Sequence, residues 1–330
     1  MPGDVMLAKR AAYPVNYYII FIEGEVMDSK RILVIGSLNM DIVLSLHHMP
    51  QPGETVIARG KNEHPGGKGA NQAFAAARLG GNIAMIGRVG ADKYGETLVS
   101  NLKNAGADTS GIIIQPDTDT GLAFIYVDEK GENSIVVASG ANALLTPQDI
   151  RDTERLLDAC DIVLVQLEIP YETVAYVISE ARRKGKTVML NPAPVMKGLE
   201  GLIKMVDILT PNEGELEELS GVKADSIENI ESGAKTLIEK GAGSVIVTLG
   251  EKGALLVDSD RTKLFPARKV KAVDTTAAGD AFSAAVCVAL AEGRSMDEAT
   301  VFANKVSGIV VTRMGAQPSI PSRSEVDAIS

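Results

Sequence analysis

Short, uninterrupted aliphatic runs recur along this chain and leave few folds open to it. Ile32-Leu33-Val34-Ile35, Ile162-Val163-Leu164-Val165 and Val245-Ile246-Val247 carry no polar side chain on either face. Such runs suit strands buried on both sides of a parallel sheet. The pattern predicts strands over 31–36, 83–88, 161–166, 187–190, 207–209 and 244–249. Helices are expected over 69–79, 93–105, 172–184, 212–220, 230–240, 277–292 and 295–312. Repeated βα units with short connections imply an α/β fold, a doubly wound and mostly parallel sheet with helices on both faces.

Two stretches break that rhythm. Residues 42–61 and 121–137 alternate apolar with polar side chains and carry the turn signals Gln51-Pro52-Gly53 and Asp128-Glu129-Lys130-Gly131. They are expected as antiparallel strands of a small sheet at one edge of the main domain, where closing as a lid would exclude water. Residues 1–27 also stand apart. Their apolar stretch, Tyr17 to Ile22, is too short to span a bilayer and is followed by Glu23 and Glu25. It lacks a signal-peptide core and a small-residue cleavage site. The expectation is an extension, disordered or loosely packed, from an upstream start, with 28–330 forming the α/β domain.

With 330 residues, 45% of them hydrophobic, the chain can fill one large core, and with 4% aromatics that core must be aliphatic. The net charge of −10 disfavours nucleic acid and anionic membranes, which are bound mainly through Lys and Arg excess. Cys160 and Cys287 sit in apolar surroundings without a partner at ligand spacing, so they are read as buried thiols of a cytoplasmic protein. His47, His48 and His64 are too few and too badly spaced for zinc.

The strongest chemical signal is Asp274-Thr275-Thr276-Ala277-Ala278-Gly279-Asp280-Ala281-Phe282, opening an apolar helix. Small side chains leave the first backbone N–H groups of that helix unobstructed, and such an end binds anions. Asp280 stands in the first turn beside that anion. A carboxylate that can deprotonate a hydroxyl, next to amides that stabilise a transferred anion, is what phosphoryl transfer to an alcohol requires. Simple N-capping is the plain alternative for Asp-Thr-Thr alone.

Weaker signals lie at other strand ends. Pro65-Gly66-Gly67-Lys68-Gly69-Ala70-Asn71-Gln72 is not a Walker loop, because Gly69 follows Lys68 and position 62 is not Gly. Nor is it a dinucleotide fingerprint, since position 72 is Gln. It remains a tight turn opening a helix, with Lys68 and Asn71 facing one region. Asn39 and Asp41, two apart after the first strand, point the same way if extended. Glu168 follows the strand over 161–166, and Thr210-Pro211-Asn212-Glu213-Gly214-Glu215 has the spacing of a capping box. Thr248-Leu249-Gly250-Glu251-Lys252-Gly253 is a glycine-punctuated turn. In this architecture all these strand ends lie along one edge of the sheet.

Taken together and in this order, the motifs at 274–280, 66–72 and 212–215, with Asn39/Asp41, resemble the signatures of the ribokinase (PfkB-type) carbohydrate kinases. The likeness runs from about residue 31 to 319, where Gly-Ser-Leu-Asn-Met-Asp and Gly-Ala-Gln-Pro-Ser also match. The resemblance implies transfer of the γ-phosphoryl group of ATP to the 5-hydroxyl of D-ribose, with Asp280 as base and the amides of Ala277, Ala278, Gly279 and Asp280 as anion hole. It implies that Asn39, Asp41, Gly67, Lys68, Asn71 and Glu168 hold the sugar. Asn212, Thr248, Gly250, Gly253, Gly279 and Asn304 would serve the nucleotide, and Glu215 a hydrated Mg²⁺. A K⁺ site would use Asp274, Thr276, Val310, Arg313, Gly315 and Ser319, several through backbone carbonyls. The lid strands would pair two copies into a homodimer.

Related kinases for deoxyribose, fructose, a nucleoside or a phosphosugar would use nearly the same residues. Lys68 is the sole cation among the expected sugar contacts, which speaks against a phosphosugar, and the scarcity of aromatics against a nucleoside. A binding protein without catalysis would be expected to lack Asp280 or the anion hole. The missing dinucleotide fingerprint counts against a dehydrogenase.

Overall fold

A computed structural model of the chain describes residues 30–329, so the extension expected over 1–27 lies outside the described residues. Thirteen strands are described: β1 Arg31–Ile35, β2 Asn39–Ser45, β3 Gly60–Gly66, β4 Asn82–Gly90, β5 Asp108–Gln115, β6 Gly121–Val127 and β7 Asn133–Ala138. They continue with β8 Ile162–Val165, β9 Thr187–Leu190, β10 Ile208–Leu209, β11 Ser244–Thr248, β12 Ala254–Asp258 and β13 Thr262–Phe265. Nine form one sheet in the order β13-β12-β11-β10-β9-β8-β1-β4-β5. Pairing is parallel from β5 through β11 and antiparallel only at β11–β12 and β12–β13. The hairpin β12–β13 and the outer strand β5 had no counterpart in the apolar-run pattern.

The aliphatic runs behave as their composition demands. Within β1, Ile32 and Val34 face one core, while Leu33 and Ile35 face the other. The first core is completed by the helices Lys68–Arg78, Lys93–Ala105, Ala278–Ala291 and Met296–Val310. The second is completed by Tyr171–Arg183, Glu213–Ser220 and Ile227–Glu239. Ala278–Ala291 is apolar all round because it is buried nearly all round.

The remaining strands form a second sheet in the order β3-β2-β6-β7. Two expectations need correction here. Only β2–β3 and β6–β7 are antiparallel; the central pair β2–β6 is parallel. Alternation of apolar and polar residues is the same for both pairings, so it could not tell them apart. The stretch 42–61 is also not continuous strand: β2 begins at Asn39 and β3 starts only at Gly60. Asn39 and Asp41 therefore belong to the small sheet and not to the end of β1.

Candidate active site

Sheet order reverses between β1 and β8, since the chain runs outward through β4 and β5 on one side and through β9 to β11 on the other. Such a switch point opens a crevice beyond the carboxyl ends of the strands. Residues from the ends of several strands meet there. The loop after β1 supplies Ser37, whose Oγ donates to Glu168 Oε2 at 2.5 Å across the switch point. The same Glu168 oxygen accepts from the Lys68 amide at 3.1 Å.

Glycine makes this junction possible. Gly67 adopts φ +86°, and a Cβ there would stand 2.7 Å from the Asn39 amide nitrogen. A Cβ on Gly66 would meet the Asp41 carboxylate at 2.1 Å. Only a bare backbone lets the start of the Lys68–Arg78 helix abut β2. Asn39 is fixed from the far side by Asn142, which donates to its Oδ1 at 2.8 Å and also bridges the Leu38 amide and carbonyl at 2.9 and 3.0 Å.

Asp280 lies buried in the first turn of the Ala278–Ala291 helix. Asn71 Nδ2 donates to its Oδ2 and Gln72 Nε2 to its Oδ1, both at 3.0 Å. Burial pushes the Asp280 pKa up, against the pull of Lys68 and of the two amides. Burial also raises Asp41, to about 7, helped by the charges of Glu168 and Asp280. Burial by itself would lower Lys68, yet the carboxylates of Asp280, Glu168, Glu215 and Asp41 outweigh it and hold the ammonium above the ordinary lysine value. Among the described residues, Lys68 is thus the one cation acting on this group of four carboxylates.

The helix start at Ala277 carries no side-chain cap and takes the left-handed conformation, φ +60°. Ala278 N–H turns back to the Thr275 carbonyl at 3.2 Å. Among the described residues the amides of Gly279 and Asp280 have no hydrogen-bond acceptor, so they remain available to an anion. Of the expected anion hole, then, Ala278 is the one amide already engaged.

Beside it, the ends of β10 and β11 are joined by a bridge between Asn212 and Thr248. Asn212 and Glu215 form the capping box that their spacing suggested, each side chain accepting from the other's backbone N–H at 2.8 and 2.9 Å. Burial raises the Glu215 pKa. Gly253 must be Gly, since at φ +104° a Cβ would strike the Phe265 carbonyl. Asn304 Nδ2 donates to that same carbonyl at 3.0 Å, which commits its amide nitrogen to the backbone.

A second loop system adjoins the helix start. Asp274 accepts from Thr276 N and Oγ1 at 2.9 and 2.6 Å and from Gly315 N at 2.8 Å. Val310 O accepts the Arg313 amide, whose side chain pairs with Glu325 at 2.7 Å. Ser319 Oγ donates to Ala316 O. Among the described residues no cluster of three or more His, Cys, Asp or Glu side chains could hold a metal ion. None of the described helices is long and apolar enough to cross a membrane.

Several polar residues of the site carried no signal of their own. Gln166, Asn191, Thr210, Ser283 and Gln317 are buried and link behind Asn71, Gln72 and Asp280. A concavity at the opposite edge of the sheet is spent on internal pairs. There Arg182 meets Asp207 at 2.5 Å, and Lys186 donates to the carbonyls of Asp158 and Cys160.

The pfkB family carbohydrate kinase model matches residues 29–323. A ribokinase of Haemophilus influenzae is 40% identical over 296 residues, 90% of this chain and 97% of the relative. A deoxyribokinase of Salmonella typhi is 38% identical, covering 88% of this chain and 95% of its own. Among solved structures, Arabidopsis thaliana ribokinase complexed with ribose and ATP superposes with a TM-score of 0.83 at 32% identity, over 90% of this chain and 97% of that one. A helix start whose Gly279 and Asp280 amides have no acceptor among the described residues, a buried carboxylate beside it and a matching family model across nearly the whole described chain lead to one conclusion: this chain belongs to the pfkB family of carbohydrate kinases.

Proposed function

We propose that the chain is a ribokinase, transferring the γ-phosphoryl group of ATP to the 5-hydroxyl of D-ribose to give ribose 5-phosphate and ADP. The observation that carries the reading is Asp280, a buried carboxylate in the first turn of a helix whose adjacent amides are unpaired. Asp280 takes the hydroxyl proton as the sugar oxygen bonds to phosphorus and the bond to the ADP oxygen breaks. The Gly279 and Asp280 amides stabilise the charge of the group in flight.

Asn39, Asp41, Gly67, Lys68, Asn71 and Glu168 supply the paired donors and acceptors that sugar hydroxyls need, and such a site rejects analogues lacking one. Asn212, Thr248, Gly250, Gly253 and Gly279 line the nucleotide side; Asn304 shapes it through the Phe265 carbonyl. Glu215 would hold Mg²⁺ through water. A single carboxylate suits an ion that keeps its waters and arrives on the phosphates, where it neutralises charge. Asp274 and Thr276, with backbone oxygens of Val310, Arg313, Gly315 and Ser319, form an all-oxygen set for K⁺, and the Gly315–Asp274 hydrogen bond supports it by drawing the two segments together. When bound there, K⁺ would supply fixed positive charge beside the helix start.

Asn39 and Asp41 hang from the small sheet, which supports its role as a lid. The row Ile135, Val136 and Val137, exposed on β7, supports pairing of two lids in a homodimer, checked by sedimentation mass. Free, buried Cys160 and Cys287 suit a cytoplasmic setting. The deciding experiment is ATP-dependent phosphorylation of ribose, 2-deoxyribose, fructose and adenosine, with and without K⁺. Preference for ribose with K⁺ stimulation is expected. Preference for deoxyribose, which the Salmonella relative keeps in view, would retain Asp280 and reassign the sugar contacts. Absence of turnover on every substrate would overturn the reading.

A further inference from the structure

We propose that Gln72 is a positioning residue for Asp280, oriented by Gln166 and Asn191 so that its amide holds the carboxylate as an ionised, aimed proton acceptor. The inference rests on the reading of Asp280 as the base. Gln72 has no exposed surface, so it reaches a substrate only through Asp280. Its Nε2 donates to Asp280 Oδ1 at 3.0 Å and to Asn191 Oδ1 at 3.1 Å, which spends both N–H groups of the amide. Its Oε1 accepts from Gln166 Nε2.

The direction of this chain is set by a backbone group. Asn191 Nδ2 donates to the Thr210 carbonyl at 3.1 Å, and a carbonyl can only accept. Asn191 must therefore turn its oxygen toward Gln72, and Gln72 must turn its nitrogen toward both Asn191 and Asp280. An amide donor cannot take up a proton, so it favours the charged carboxylate over the acid. That bias has work to do. Lys68 also favours the carboxylate, whereas burial, the larger effect, and the charge of Glu168 oppose it.

Gln166 supplies an independent sign that orientation, and not stability, is what the chain retains. Among the described residues its Oε1 is buried without a hydrogen-bond partner, while its Nε2 serves Gln72. An unpaired buried acceptor costs stability, so an apolar residue of similar shape would be the better choice for packing alone.

The test is the pH dependence of kcat and KM for ribose and ATP in the wild-type chain, Asp280→Asn, Gln72→Met and Gln166→Met, with thermal melts of each. Gln72→Met is expected to lower kcat about tenfold at neutral pH, to move the acid limb of kcat up by about one pH unit and to leave the ribose KM within about threefold. Gln166→Met should shift the same limb by less, and its melt should change little, because it removes one unpaired buried acceptor but strips Gln72 Oε1 of its donor. An unmoved acid limb in both variants, or a loss confined to KM, would overturn the proposal while leaving Asp280 in place. Should Gln72→Met not fold, Gln166→Met decides alone. Wild-type turnover in Asp280→Asn would instead remove the base on which the inference stands.

Discussion

The Glu213–Ser220 and Ala278–Ala291 helices both begin at the carboxyl edge of the main sheet, and they treat their first turns in opposite ways. The first is closed by its own residues, with Asn212 and Glu215 each accepting the other's backbone N–H. The second starts at a strained Ala277 with no side-chain cap, and among the described residues the amides of Gly279 and Asp280 are left unpaired. Capping stabilises a helix by using up the donors that would otherwise bind an anion. Stability and anion binding therefore compete for the same N–H groups. Here the closed helix stands beside the proposed nucleotide contacts, and the open one stands where charge would develop.

The comparison breaks most readily at Asp280. Asp280→Asn should keep the fold and ribose affinity but lower turnover by about 10²–10⁴-fold, and steady-state assays showing wild-type turnover would remove the catalytic half of the contrast. Gly279→Leu comes next. An added Cβ at Gly279 meets no atom within 4 Å, so the fold should tolerate it while the side chain fills the space before the open amides. kcat/KM for ATP should fall by about 10²–10³-fold with ribose binding retained; a loss of ribose binding measured by calorimetry would point to general damage.

Asp41→Asn probes the carboxylate cluster by stability. The folded pKa of Asp41 is raised to about 7 from 3.8, so the native state holds that proton more tightly and loses stability as pH rises through this window. The variant should therefore exceed wild type by about 1–3 kcal/mol at pH 8 and lose that margin toward pH 4. A pH-independent difference in melting would show that Asp41 is not the group responsible. Ribose binding should weaken in the same variant.

The smallest effects sharpen the contrast between the two helix starts. Asn212→Ala should destabilise by about 1 kcal/mol through loss of the cap. Ala277→Gly should stabilise by about 1 kcal/mol, because glycine adopts the left-handed conformation without strain. Denaturant titrations giving the same sign for both would mean that the two ends do not differ as described.

Much of this architecture is legible in the sequence. Asp280, the helix it opens, the capping box at Asn212 and Glu215 and the glycine turn before Lys68 are all statements about neighbours in the chain. The misplaced limits of the small sheet have a plain origin. Asn39 follows β1 after a short break at 36–38, so the polar residues looked like the end of that strand. The parallel β2–β6 pair was hidden because pairing direction depends on how the chain returns, not on its alternation.

What the sequence determined by itself was local. Aliphatic runs forced buried parallel strands, small residues left a helix start open, and a carboxylate followed at a fixed offset. What only the tertiary structure decided was which distant polar groups meet. Gln72 reaches Asn191 across 119 residues and Asp280 across 208, while Gln317 reaches Asn71 across 246. None of the amides among these differs in the sequence from an ordinary solvated one. Their pairing becomes obligatory only once folding removes water from the switch point, because a buried polar group left without a partner is costly.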